Sequence, residues 1–220
     1  LDILLAFEGK IMTYNGKSIH LITTLWSGGA QRMLYNIVEQ KEPCDTIIIY
    51  LRKGGLYINK LNDLGVKTIQ LNLTNIWSIV HLLNSRNSRV FLWMYHPMVI
   101  GFLLGFRNRK NMIFNIRHSL DDINREKSTT RVAIYVSAFF SRFIHRTINN
   151  SEISLKQHEN IGFHNQLFIP NGFKKIFDAS LKRERYFLIA ARNHKMKKIT
   201  EVIKLFEKYP SLELVIVGRD

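Results

Sequence analysis

A chain of 220 residues with 46% apolar and 11% aromatic side chains has ample material for a globular core, which excludes a disordered or fibrous protein. Its 32 Lys and Arg against 17 Asp and Glu leave a net charge of +15, so its surface favours phosphates, acidic lipid headgroups or nucleic acid. The single cysteine, Cys44, excludes an internal disulfide and suits a reducing compartment, and no apolar run reaches the ~18 residues of a membrane span.

The opening LDILLAFEGKIM has neither a basic leader nor a small-residue cleavage site, so it is not read as a secretory signal. Residues 1–11 fit no element and are expected to extend outside a fold that begins at Met12. Residues 17–25 (KSIHLITTL) then read as an apolar strand, WSGG as a loop, and 30–41 as an amphipathic helix. Ala30, Met33, Leu34, Ile37 and Val38 fall on one stripe of that helix. A strand that passes through two glycines into a helix opens a doubly wound α/β domain, and its loop lies at the carboxyl end of the strand, where such sheets bind ligands. Gly28 and Gly29 clear side chains from a ligand's path, and the helix start behind them offers free N–H groups. A plain tight turn is the competing reading.

Residues 46–51 (TIIIYL) read as a second strand, 56–64 as a short helix stopped at Gly65, and 66–71 as a third strand. Thr74 or Asn75 can cap the next helix, in which Ile76, Ile79, Val80 and Leu83 keep helical spacing. A fourth strand over 89–95 ends at His96-Pro97, a short apolar helix covers 98–106, and a fifth strand over 111–116 ends in Arg117-His118-Ser119. The polar stretch 120–130 is a loop, and a helix over 131–147 carries a stripe of Val132, Tyr135, Val136, Phe139, Phe140, Phe143 and Ile144. That helix is apolar over most of its circumference, which implies deep burial, or else contact with a membrane surface. A strand over 148–151, a helix from Glu152, a strand over 166–169 and the turn Pro170-Asn171-Gly172 follow. A last unit has strands over 186–190 and 212–217 flanking a helix with Ile199, Val202, Ile203 and Phe206 on one side. The turn at 170–172 and the charged LKRER at 181–185 read as a hinge.

Six short motifs occur in a defined order: WMYHP (93–97), NIRHS (115–119), NSE (150–152), IPNGF (169–173), ARNHKMKK (191–198) and VIVG (215–218). Together with Gly28-Gly29 this order resembles the family-4 retaining glycosyltransferases, which have two Rossmann-like domains in the GT-B arrangement. The resemblance implies a doubly wound parallel sheet over residues 12–178, on the acceptor side. Residues 179–220 are then a linker and the first βαβ of an incomplete nucleotide-sugar-binding domain, cut at Asp220. It further implies transfer of a sugar, with retention of configuration, from a nucleotide-diphosphate sugar to a glycan or lipid-linked acceptor in cell-surface polysaccharide synthesis. The expected setting is cytoplasmic, with the chain peripheral on the inner face of an anionic membrane. No metal, no other cofactor and no nucleic acid partner are expected.

Carried over residue by residue, Gly28 and Gly29 match the loop against the donor diphosphate, and Arg192 and Lys197 match the pair that holds the leaving diphosphate. His118 matches the histidine at the reacting sugar, while His96 and Arg117 fall on the acceptor side. The chemistry stands on its own terms: a departing diphosphate gains negative charge, and a fixed donor or cation aimed at it is worth ~3–4 kcal/mol. Lys174 and Lys175 replace the acidic residue that the family usually carries after PNG, and the family's later carboxylate pair would lie beyond Asp220. The rival class is a non-enzymatic basic α/β protein that binds anions, nucleic acid or a membrane. A dinucleotide oxidoreductase is not supported, because WSGGAQ is not G-x-G-x-x-G.

Overall fold

The computed structural model describes residues 6–7, 10–11, 16–40, 45–172, 185–191 and 197–218. Cys44, Arg192, most of the 181–185 run and the boundary expected at 178 lie outside the described residues. The chain divides into two compact units, residues 1–172 and 173–220.

In the first unit seven parallel strands form one sheet: β1 (Lys17–Ile22), β2 (Thr46–Tyr50), β3 (Lys67–Gln70), β4 (Ser88–Trp93), β5 (Met112–Ile116), β6 (Arg146–Asn149) and β7 (Gln166–Phe168). Their order across the sheet is β3-β2-β1-β4-β5-β6-β7. The direction of winding therefore reverses between β1 and β4, which pair from Lys17 with Ser88 to Ile22 with Trp93. A two-residue antiparallel pair, Ala6–Phe7 with Lys10–Ile11, stands apart from this sheet.

Side chains alternate between two cores with the period of two that a strand imposes. Ile19 and Leu21 of β1, Val90 and Leu92 of β4 and Phe114 of β5 face one layer; Ile22, Phe91, Trp93 and Ile113 face the other. Because both faces are covered, the strands read as nearly continuous apolar runs. Helices α1 (Gly29–Val38) and α2 (Leu56–Asp63) bury Leu34, Val38 and Leu61 on the second side. On the first lie α3 (Ile76–Leu83), α4 (Tyr95–Leu104) and α5 (Ser128–Phe140), with Phe163 after α6 (Glu152–Ile161).

Several boundaries differ from the sequence reading, and at the ends of β1, β4 and α5 the reason is local. Strand β1 stops at Ile22 because the Thr23 carbonyl accepts from the Arg52 amide at 2.9 Å and the chain then turns, so that the Leu25 carbonyl receives the Tyr57 amide. Strand β4 stops at Trp93, and Tyr95, His96 and Pro97 form the first turn of α4. A proline is harmless there, since first-turn amides have no partner inside the helix. Helix α5 starts three residues early at Ser128 and ends at Phe140, where Ser141 Oγ donates to the Ala138 carbonyl at 2.6 Å and a 3-10 turn over Ser141–Phe143 follows.

The phase of α5 is also shifted. Its buried side is Ala133, Ile134, Ser137 and Ala138, whereas Val132, Tyr135, Phe139 and Phe143 face solvent. Small residues are needed inward because α4 and α5 approach closely: Ser137 Oγ donates to the Tyr95 carbonyl at the start of α4. The deep burial expected of the larger stripe is thus corrected for those four side chains.

The second unit contains β8 (Phe187–Ala190), α7 (Ile199–Phe206) and β9 (Leu214–Val217), with β8 and β9 parallel and in register from Phe187 with Leu214 to Ala190 with Val217. It is a βαβ unit in which Ile199 is buried and Phe187 meets Phe206 edge to face at 5.2 Å.

Candidate functional site

Every strand of the large sheet points its carboxyl end the same way, so the loops after β1, β4, β5 and β6 share one rim, with the β1–β4 reversal at its middle. In doubly wound sheets ligands sit at such a reversal. Gly28 caps α1 in extended backbone, φ −178°, with no side-chain bond to the first turn and no acidic residue in it. The opening amides of α1 therefore face outward at the positive end of the helix dipole, the arrangement that receives an anion. A Cβ on Gly29 would meet no atom within 4 Å, so nothing in the packing of the chain itself requires glycine there. By contrast α6 closes its own start: Ser151 Oγ accepts from the Ser154 amide at 3.1 Å.

Beside this opening, Met94 carries φ 67° and ψ 170° at the junction of β4 and α4, a region that is essentially restricted to glycine. Its amide donates to the Asn115 carbonyl at the tip of β5, which ties the two strand ends together. Nothing in the sequence signals this residue, since methionine has no preference for that conformation. His96, on the first turn of α4, is exposed on the same rim.

After β5, Arg117 lies against the Trp93 ring, 5.5 Å from its centroid. Its Nε donates to Asn115 Oδ1 at 2.7 Å, and it also bonds to the Asn171 side chain of the PNG turn. Burial lowers the guanidinium to about 10, and it forms no ion pair with a carboxylate among the described residues. A cation held by two neutral amides keeps its charge available to an incoming anion.

His118 follows. Its Nε2 is 2.8 Å from Glu126 Oε1, and its carbonyl accepts from Ser154 Oγ at 2.8 Å. The loop beyond is fastened to α6, where Gln157 Oε1 accepts from the Leu120 amide. Asp122, in the same loop, accepts from the Asn124 amide and pairs with Arg125.

Beneath His118 sits a buried polar pair. His158 Nδ1 is 2.6 Å from the Ser154 carbonyl, which can only accept, so Nδ1 carries the proton and Nε2 presents a lone pair. The Tyr95 hydroxyl therefore donates to Nε2 at 2.8 Å. Desolvation pushes the Tyr95 hydroxyl up and pulls His158 down to about 4, so both are neutral near pH 7. Tyr95 in turn meets the His118 ring edge to face, at 6.4 Å. This support was missed in the sequence, where Tyr95 and His158 belong to no common motif.

The structure thus places Gly28, Gly29, His96, Arg117 and His118 on one rim of the first unit. Lys197 is exposed just before α7 in the second unit, next to Lys198 in left-handed backbone at φ 50°. Arg192 lies outside the described residues.

Neither a protein-family model nor a curated protein matches the sequence. Among solved structures the chain is similar to Anabaena Alr3699/HepE in complex with UDP-glucose, at TM-score 0.75 and 16% identity, and to the same protein with UDP, at 0.68 and 13%. These matches cover 93% of this chain and 61% and 69% of the neighbours, so the chain spans about two thirds of their length. It is also similar to UDP-N-acetylglucosamine 2-epimerase from Rickettsia bellii at TM-score 0.50 and 11% identity, over 93% of this chain and 62% of that one. At such identities the likeness concerns the fold: this is a Rossmann-like, GT-B-type α/β chain of the kind found in UDP-sugar proteins.

Proposed function

We propose that the chain belongs to a retaining glycosyltransferase of the family-4 kind, which moves a sugar from a nucleotide-diphosphate sugar to a glycan or lipid-linked acceptor in polysaccharide synthesis at the inner face of a membrane. One observation carries the reading. The uncapped Gly28-Gly29 start of α1 opens at the sheet reversal, on the same rim as Arg117 and His118, in a fold shared with a protein solved with UDP-glucose. In this reading the α1 amides receive the diphosphate, and His118, oriented by Glu126 and backed by Tyr95, meets the donor sugar. Arg117 and His96 face the acceptor. Arg192 and Lys197 hold the leaving diphosphate, and no metal takes part.

The test is a titration of the chain with UDP, UDP-glucose and inorganic phosphate, followed through the backbone amide resonances of residues 28–31. The reading expects UDP and UDP-glucose to shift those amides at concentrations where phosphate does not. Equal response to phosphate, lost steeply with added salt, would instead support a non-enzymatic anion binder. Retention is tested by the anomeric configuration of a transferred sugar; an inverted product removes the family-4 assignment.

A further inference from the structure

Helices α4 and α5 turn an aromatic face away from the sheet. Leu103 and Phe106 from α4 and the segment after it, with Val132, Tyr135, Phe139 and Phe143 from α5 and the turn after it, are each at least 50% exposed. The carboxyl ends of the two helices are joined by Phe102, which stacks on Phe140 at 3.9 Å and lies 6.3 Å from Phe143, while Phe139 and Phe143 are 5.7 Å apart. Phe139 and Phe143 thus form an exposed aromatic pair beside Phe102, and Leu103, Phe106, Val132 and Tyr135 are exposed on the same two helical segments. Such an apolar face on a soluble surface marks a contact site.

Guanidinium groups border it. Arg107 lies 5.3 Å over Phe106, Arg142 lies 5.7 Å over Phe139, and Arg109 lies 4.0 Å over Phe102. Neither residues 95–111 nor residues 127–147 contain an Asp or a Glu, so the segments that build this face are cationic throughout. No carboxylate pairs with these three arginines among the described residues.

We infer that this face docks on an anionic lipid bilayer, with Phe106, Phe139 and Phe143 entering the headgroup–acyl boundary and the arginines pairing with lipid phosphates. Charge decides between occupants. In a two-fold contact with a second copy the face would meet itself and bring arginine to arginine without a countercharge, whereas a bilayer of acidic lipid supplies both the apolar interior and the anions. The face lies on the outside of the helix layer, so docking leaves the strand tips with Gly28 and His118 open. The inference names the membrane partner of the proposed enzyme but rests on different residues. A chain that binds vesicles and ignores UDP keeps this inference and loses that one.

Flotation with vesicles tests it. The chain is expected to float with vesicles of equal parts phosphatidylcholine and phosphatidylglycerol and to stay behind with phosphatidylcholine alone. Phe139→Ser with Phe143→Ser lowers partitioning by about tenfold, and Arg107→Glu with Arg142→Glu also abolishes the preference for acidic lipid. Lys60→Glu, on α2 across the sheet, floats as the unaltered chain does. Circular dichroism establishes that each variant is folded, and both double variants alter solvent-facing residues. Failure to float, equal flotation on both vesicles, undiminished flotation of either double variant, or retention only on an oligonucleotide or in a dimer would overturn the inference.

Discussion

Replacing Tyr95 by Phe removes one hydroxyl from the buried pair beneath His118 and leaves the His158 Nε2 lone pair without a donor. Both side chains are buried, with Tyr95 2% and His158 0% exposed, so water cannot take the place of the hydroxyl. A buried acceptor deprived of its partner costs about 1–3 kcal/mol. The tautomer cannot switch to relieve this, because the Ser154 carbonyl holds the proton on Nδ1. Urea unfolding followed by fluorescence should show the midpoint falling with the slope unchanged. In Tyr95→Phe with His158→Phe the loss should be smaller than the sum of the single losses, because no orphaned acceptor remains. The same histidine gives the unaltered chain an acid-sensitive term. Its value is lowered from 6.5 to about 4 by burial, so between those pH values the unfolded chain binds the extra proton. Stability contributed by neutral His158 is therefore full above 6.5 and is lost as pH falls, by about 3 kcal/mol once both states are protonated. The His158→Phe variant should lack that slope. An unchanged midpoint in Tyr95→Phe, together with an unchanged acid slope in His158→Phe, would refute the reasoning.

Further predictions concern the rim. Gly29→Ala should leave the fold intact or stabilise it by roughly 0.5–1 kcal/mol, since the new methyl meets nothing and the residue is helical; thermal unfolding reads this. Under the proposed function the same methyl stands in the ligand's path and weakens UDP binding, so a variant that is stabler and binds UDP as well as before would count against the diphosphate site. Gly55→Ala has the opposite character: φ is +146° and the new Cβ would overlap the Leu25 backbone. Chemical unfolding should register a loss of at least about 2 kcal/mol. Arg117→Met relieves a buried cation of its desolvation but leaves the buried Asn115 Oδ1 without its donor, so it should cost about 1–3 kcal/mol of stability while reducing sugar transfer. A large loss of stability with transfer intact would assign Arg117 a purely structural role.

Local pattern along the chain is enough to assign the α/β class, the succession of elements and the buried stripe of α1. Each of these is written in a local period: apolar runs for strands covered on both faces, and Leu34 and Val38 one turn apart on a helix. It also placed Gly28-Gly29, Arg117 and His118 after strands, because a strand's direction fixes which loop follows its carboxyl end. Strand order, with β4 beside β1, was decided only in three dimensions, and that order brings those loops to one rim. The face of α5 that is buried was likewise undetermined, since apolar residues surround that helix and only the close approach of α4 selects Ala133, Ser137 and Ala138 over Phe139. Met94 in its glycine-like conformation and the Tyr95–His158 pair, 63 residues apart, were invisible for the same reason. Local pattern records what a segment prefers, whereas a rim, a buried hydrogen bond and an exposed face exist only once distant segments have been brought together.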